Sequence, residues 1–266
     1  MNRIDRAFAL AREEGRAALL PYVAGGDPDL GTTAELVAEL ERAGADVVEI
    51  GFPHSDPIAE GPVIQAASQR ALQKGASLAQ ILDVVKRVRE VSDVAILLMG
   101  YLNNVLAYGE RALVKAAAER GVDGLLVADA PFEETSELEE QCTASGVHRI
   151  LMVAPTSTPE RVVQIARHSQ GFVYCVSDVG VTGERDKLAS DLDELVSRIR
   201  RVSDLPVAVG FGIGSPQQAA KVGRLADGVI VGSALVRRIG ESSTPAAAVE
   251  SAASFIRTLS DSLRRP

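Results

Sequence analysis

The chain has 266 residues, 46% of them hydrophobic, which is ample material for a buried core, and its net charge of −8 counts against nucleic acid as a partner. No apolar run approaches the roughly 20 residues that span a bilayer, and the N-terminal stretch MNRIDRAFALAREEGRAALL mixes charges of both signs, unlike a secretory leader, so a soluble cytoplasmic protein is expected. Cys142 and Cys175 lack the spacing of metal ligands or of a disulfide framework and are expected to be ordinary reduced thiols.

Along the chain, short apolar runs recur every few tens of residues. ALLPYV (18–23) comes first, followed by TTAELVAELERAG, where Leu36, Val37, Leu40 and Ala43 form one stripe and Gly44 follows as a helix stop. ADVVEIGF (45–52) is the second run, and the interval from it to VAILLMGY (94–101) is conspicuously long, beginning with a loop that holds prolines at 53, 57 and 62. GLLVADA (124–130) and HRILMVAP (148–155) come next, then GFVYCVS (171–177). SDLDELVSRIRRV has helical spacing of Leu192, Leu195, Val196 and Ile199 behind an acidic first turn, and PVAVGFG (206–212) and DGVIVGS (227–233) close the series. The eight runs are continuous rather than alternating in polarity, as parallel strands covered on both faces should be. Eight such strands alternating with helices, without a linker or low-complexity segment, predict a single (β/α)8 TIM barrel domain over residues 1–266.

A barrel of this kind places its active site at the carboxyl ends of the strands. Glu49 stands near that end of the second strand. By strand parity it shares a face with Val47 and Gly51, which points its carboxylate into the barrel mouth. An acid there is paired with a nearby Lys or Arg, exposed at a frayed strand end, or left to desolvation, which tunes a carboxyl toward acid–base work. Gly183, Gly212, Gly232 and Ser233 fall at the ends of strands six to eight, where glycines and helix-start amides bind phosphate without a fixed positive side chain. Tyr174 either offers a hydroxyl to this site or fills the core. Asp129 repeats the pattern of an acid closing an apolar strand, His54 reads as a solvated or packing loop residue, and His148 and His168 have no evident partners. The pairs Lys115/Glu119 and Glu194/Arg198 have the spacing of helical surface ion pairs.

The segments GGDP (25–28), EIGFPHSDPIAEGPVIQ (49–65), GVTG (180–183), VGFGI (209–213) and DGVIVGSALV (227–236), in that order and spacing, resemble the tryptophan synthase α subunit over nearly the whole chain. The resemblance implies a carbon–carbon lyase of tryptophan biosynthesis that splits indole-3-glycerol phosphate into indole and glyceraldehyde 3-phosphate. It further implies no metal or organic cofactor, and a β-subunit partner in an α2β2 heterotetramer that receives the indole. Carried over residue by residue, it puts Glu49 in proton transfer and Glu60 beside the indole N–H. Tyr22, Leu126 and Phe211 would hold the indole, with Tyr174 beside Glu49. Thr182 would help close the site, and Gly183, Gly212, Gly232 and Ser233 would cradle the phosphate.

Four positions depart from the family pattern. Glu60 replaces the usual aspartate and adds a methylene of about 1.5 Å; His54 stands where an aromatic ring is usual, Ala24 where threonine is common, and Asn104 where proline follows Asn103. The resemblance is thus compatible with an active lyase in a complex, with a non-catalytic phosphate-binding partner of a β subunit, and with a stand-alone indole-releasing lyase.

Overall fold

The computed structural model describes residues 1–176, 185–210 and 212–264. Helix α1 (Arg3–Glu13) precedes strand β1 (Ala18–Ala24), and α2 (Leu30–Arg42) leads to β2 (Val47–Gly51). The long interval that follows holds two helices, α3 (Pro62–Gln73) and α4 (Leu78–Val88), before β3 (Ala95–Gly100). Then come α5 (Leu102–Tyr108), α6 (Glu110–Arg120), β4 (Gly124–Val127) and α7 (Ser136–Ser145). Strand β5 is formed by His148–Arg149 and Leu151–Val153 on either side of Ile150, and is followed by α8 (Pro159–His168), β6 (Val173–Val176) and α9 (Arg185–Arg200). Strand β7 (Val207–Gly210), α10 (Pro216–Gly223), β8 (Gly228–Val231), α11 (Ser233–Glu241) and α12 (Pro245–Leu263) complete the order.

Every strand pairing is parallel, and β1 is flanked by β2 on one side and β8 on the other. The two ends of the sheet meet at Ile150: His148 and Arg149 pair with β4, Leu151–Val153 pair with β6, and the Ile150 N–H donates to Leu125 at 3.0 Å. The eight expected strands are all present, and the (β/α)8 barrel closes.

Continuous apolar strands are needed because both faces are covered. Ala18, Leu20, Val47, Leu97, Leu126, Ile150, Ala208 and Ile230 fill the barrel interior, while Leu19, Val48, Ile50, Leu98, Leu125, Val209 and Val229 meet the surrounding helices. Helix α1 has no place in the strand–helix repeat. It lays Ile4, Ala7, Phe8 and Ala11 across the bottom of the barrel, and Phe8 meets Phe172 with ring centroids 5.3 Å apart.

The lower rim is tied by three aspartates, each one residue before a strand. Asp46 accepts from the Leu19 N–H at 2.7 Å, Asp123 from Ile96 at 2.8 Å and Asp227 from Val207 at 3.0 Å. In each case the aspartate's own N–H donates back to that neighbour's carbonyl at 2.9 Å, so a two-bond ring locks one register between adjacent strands. An arginine completes each: Arg16 on Asp46, Arg89 and Arg3 on Asp123, Arg200 on Asp227. Asp123 is 4% exposed, so removing its carboxylate strands the buried Ile96 N–H and takes the charged partner from Arg89, which keeps only backbone carbonyls. Asp123→Ala is expected to lose roughly 2–4 kcal/mol in urea unfolding, with Asp123→Asn intermediate; a loss below about 0.5 kcal/mol would show that the ring is not a fastening.

Candidate active site

The barrel mouth is built around Glu49. Its register partners are Tyr22 on β1 and Leu97 on β3, and like its parity mate Val47 it faces inward, as the alternation of strand residues requires. The residue is 1% exposed, and among the described residues no lysine or arginine forms an ion pair with it. The paired-surface alternative for Glu49 is thereby set aside. Its Oε1 is buried with no hydrogen-bond partner, and Tyr174, reaching in from β6, hydrogen-bonds the carboxyl. Tyr22 packs against the end of β2, and a Cβ on Gly51 would fall 2.0 Å from the Tyr22 hydroxyl, so only glycine leaves room for this ring.

The proline-bounded loop between β2 and α3 brings a second acid to the same space. Glu60 is partly buried, its Oε2 has no hydrogen-bond partner among the described residues, and the hydroxyl of Tyr101, at the end of β3, acts on its carboxyl as a hydrogen-bond donor. The loop returns into α3 at Pro62, and α3 is tied back to the β1–α2 turn by a two-pronged contact of Arg70 with Asp27 at 2.8 and 2.7 Å.

Burial pushes Glu49 up to about 8, the nearby Glu60 pushes the same way, and the Tyr174 hydrogen bond opposes both. Burial raises Glu60 to about 7, opposed by the Tyr101 hydrogen bond. Tyr22 and Tyr174 are driven well above the usual tyrosine range by burial and by the two acids, so their hydroxyls stay protonated. The mouth therefore holds two coupled carboxyls that can exchange protons near neutrality, each with one unpartnered oxygen.

Apolar walls surround them. Leu126 is fully buried inside the barrel in register with Met99, and Met99 joins that interior to a smaller cluster of Tyr22, Ala24, Ala67 and Val236 with Ile64. Met99, Ile64 and Tyr101 carry no site signal of their own in the sequence: Ile64 belongs to the 49–65 motif, and Met99 and Tyr101 belong to the apolar run 94–101.

The phosphate-cradle expectation falls on two glycines and a serine that the structure describes. Gly212 has φ of +60° and open space where a Cβ would be, a backbone state that favours glycine. Gly232 precedes α11 and offers no side-chain cap, which leaves the helix-start amides of the exposed Ser233 available to a ligand. A Cβ on Gly232 would lie 3.8 Å from Tyr22 Cβ and 3.7 Å from Ile64 Cδ1, so this helix start adjoins the apolar wall. Thr182, Gly183 and Phe211 lie outside the described residues.

The weaker sequence candidates find other roles. Asp129 accepts from the Leu102 N–H at 2.8 Å and so caps α5. His148 contacts Asp5 at 2.8 Å and His168 contacts Glu139 at 3.0 Å, partners from distant segments that the sequence did not reveal. Lys115 and Glu119 pair at 3.9 Å, whereas Arg198 donates to the Ser157 carbonyl at 2.7 Å. Both cysteines are buried free thiols, pushed up to about 12 by burial. Among the described residues no group of three or more His, Cys, Asp or Glu is placed to hold a metal ion.

The family model described as tryptophan synthase alpha chain matches residues 8–264. A tryptophan synthase alpha chain from Citrifermentans bemidjiense is 50% identical over 237 residues, 89% of this chain and 89% of that one. One from a Thermoanaerobacter species is 41% identical over 263 residues, 99% of this chain and all of that one. A ligand-free crystal structure of tryptophan synthase from M. tuberculosis superposes with a TM-score of 0.90 at 34% identity over the full length of both chains. The alpha chain from Legionella pneumophila gives 0.90 at 34% identity, covering 99% of this chain and 97% of that one.

A buried acid held up to about 8 has a definite consequence for stability. Its folded value lies above the ordinary one, so its contribution is fully present below about 4.5 and is lost as pH rises through about 8. Glu49→Gln removes that loss. The variant is expected to be more stable than wild type at pH 9, by on the order of 2–5 kcal/mol, and not at pH 5. Equal melting curves at pH 9 would mean that Glu49 ionises there without strain.

Proposed function

The chain belongs to the tryptophan synthase alpha chain family, and from that premise we propose that Glu49 and Glu60 carry the cleavage of indole-3-glycerol phosphate. The enzyme is a lyase of tryptophan biosynthesis that releases indole and glyceraldehyde 3-phosphate. The observation that supports the roles most strongly is the pair of buried carboxyls near neutrality, each with one oxygen unpartnered and the other end of the group held by a tyrosine hydroxyl.

The reaction needs a proton on indole C3, an acceptor for the proton of the adjacent side-chain hydroxyl, and stabilisation of positive charge on the ring. Glu49, held up to about 8, is protonated at neutral pH and suited to protonate C3. The resulting cation places charge at the indole nitrogen, whose N–H is received by the ionised Glu60. The C3–C1′ bond then breaks, its electron pair returning to the ring to restore aromatic indole. The hydroxyl oxygen becomes the aldehyde oxygen, and its proton passes to the carboxylate that Glu49 left behind. One carboxyl thus gives and regains a proton, and no other reagent is consumed.

Tyr22 and Leu126 line the indole side of the mouth, and Gly212, Gly232 and Ser233 receive the phosphate through backbone amides, which reconciles an acidic chain with an anionic substrate. The resemblance adds Thr182, Gly183 and Phe211 to these roles. The family implies a β-subunit partner, and we take the assembly to be an α2β2 heterotetramer with residues 1–266 as one barrel domain, working in the cytoplasm. Among the described residues no helix is long and apolar enough to cross a membrane.

Indole release assayed with its β subunit present is expected to give a bell-shaped kcat/KM, rising as Glu60 ionises near about 7 and falling as Glu49 loses its proton near about 8. Glu49→Gln is expected to lose roughly 10²–10⁴-fold in turnover while still binding glycerol phosphate. Retention of more than about a tenth of wild-type turnover would remove Glu49 from proton transfer.

A further inference from the structure

Glu60 sits on a loop, yet a carboxylate that must meet one N–H needs fixed geometry. The contacts that supply it converge on one side chain. Tyr101 follows β3 directly and is 1% exposed. Its backbone is anchored by the first turn of α5, where Asn104 and Val105 donate to the Tyr101 carbonyl at 3.1 and 3.3 Å, and the next residue, Leu102, is held by Asp129. From this base the side chain touches both ends of the β2–α3 loop. Near the loop's start, His54 stacks on the Tyr101 ring with centroids 4.7 Å apart and planes 19° apart. Near its end, the Tyr101 hydroxyl accepts from the Ala59 N–H at 3.2 Å and lies beside the Glu60 carboxyl, whose ionised form its O–H favours. A hydroxyl that accepts from one residue and donates to the next orients its single proton, so it fixes the carboxylate in direction as well as in place.

We propose that Tyr101 is the positioning residue for Glu60, clamping the loop from both ends and turning the free carboxylate oxygen toward the indole N–H. The inference rests on the reading of Glu60 as the acceptor of that N–H. It explains how the chain accommodates a glutamate at this position: the extra methylene is held by a hydroxyl from a rigid strand end instead of being left to sample rotamers. The same hydroxyl favours the ionised carboxylate. Among the described residues, the groups that otherwise face Glu60, Glu49 from β2, Tyr22 from β1 and Tyr174 from β6, supply no cation, so Tyr101 is the donor that opposes desolvation.

The test is a double-mutant cycle of Tyr101→Phe and Glu60→Gln, read as indole release against pH with the β subunit present. The phenylalanine ring keeps the stack on His54 and loses only the hydroxyl. Tyr101→Phe is expected to lower kcat/KM by about ten- to a hundredfold and to move the acid limb upward, since Glu60 becomes harder to ionise. In the Glu60→Gln background, read from the residual rate, the same change is expected to cost less than about threefold. An unshifted acid limb, or an equal cost in both backgrounds, overturns the positioning role while leaving Glu60 in place. A Glu60→Gln enzyme with wild-type rate and profile would instead overturn the reading of Glu60 itself. Unchanged glycerol phosphate binding in all variants confirms that the losses are not general unfolding.

Discussion

Two carboxyl groups share one barrel mouth with, among the described residues, no cation in contact with either, and most of what distinguishes this chain follows from holding them there. Desolvating an acid is expensive, and a second acid nearby makes ionisation harder still. The mouth answers with neutral donors: a tyrosine hydroxyl on each carboxyl, Tyr174 for Glu49 and Tyr101 for Glu60. A lysine in their place would return both groups to the ordinary range and leave no proton to give at neutral pH. The rest of the fold supplies the rigidity that such a site requires. The closed sheet, the α1 plug and the three aspartate rings are concentrated at the lower end, away from the chemistry. That division is the usual one for barrels, with stability below and reaction above.

The two acids are mounted differently. Glu49 lies within a strand bonded on both sides, so its position is set by the register of three strands. Glu60 lies on a loop whose outer members, such as Ile58 at 72%, are exposed, so its position rests on the Tyr101 side chain rather than on strand register. A proton donor set by strand register and a charge acceptor set by a side-chain clamp suit the proposed reaction, in which protonation of C3 places the charge at the nitrogen. In the proposed reading the phosphate end needs neither kind of acid, only amides, to which Gly212 and Gly232 would give an approach.

Much of this was legible in the sequence because it depends on local pattern. Buried parallel strands need unbroken apolar runs, so all eight could be found, and the period of two was enough to aim Glu49 inward. Other features depend on segments that meet only in three dimensions. Asp129 looked like a second strand-end acid but caps α5, because what closes a strand in sequence can start a helix in space. His148 finds Asp5 across the chain, and Arg198 finds a carbonyl rather than its helical neighbour. The Asp46, Asp123 and Asp227 rings were hidden because an acid before a strand carries no periodic signal. Tyr101 was hidden because an aromatic at a strand end reads as core until the loop that folds over it is known.

The most direct measurement is carbon NMR of the glutamate side-chain carboxyls in the ligand-free protein, titrated between pH 4 and 10. Burial of the pair without a cation requires two resonances that stay protonated through the ordinary carboxylate range and titrate together with apparent values near about 7 and about 8, both absent from a Glu49→Gln, Glu60→Gln double variant. If both carboxyls instead titrated near 4.5, the mouth would be wet or cation-paired, and proton transfer by these two acids would lose its physical basis.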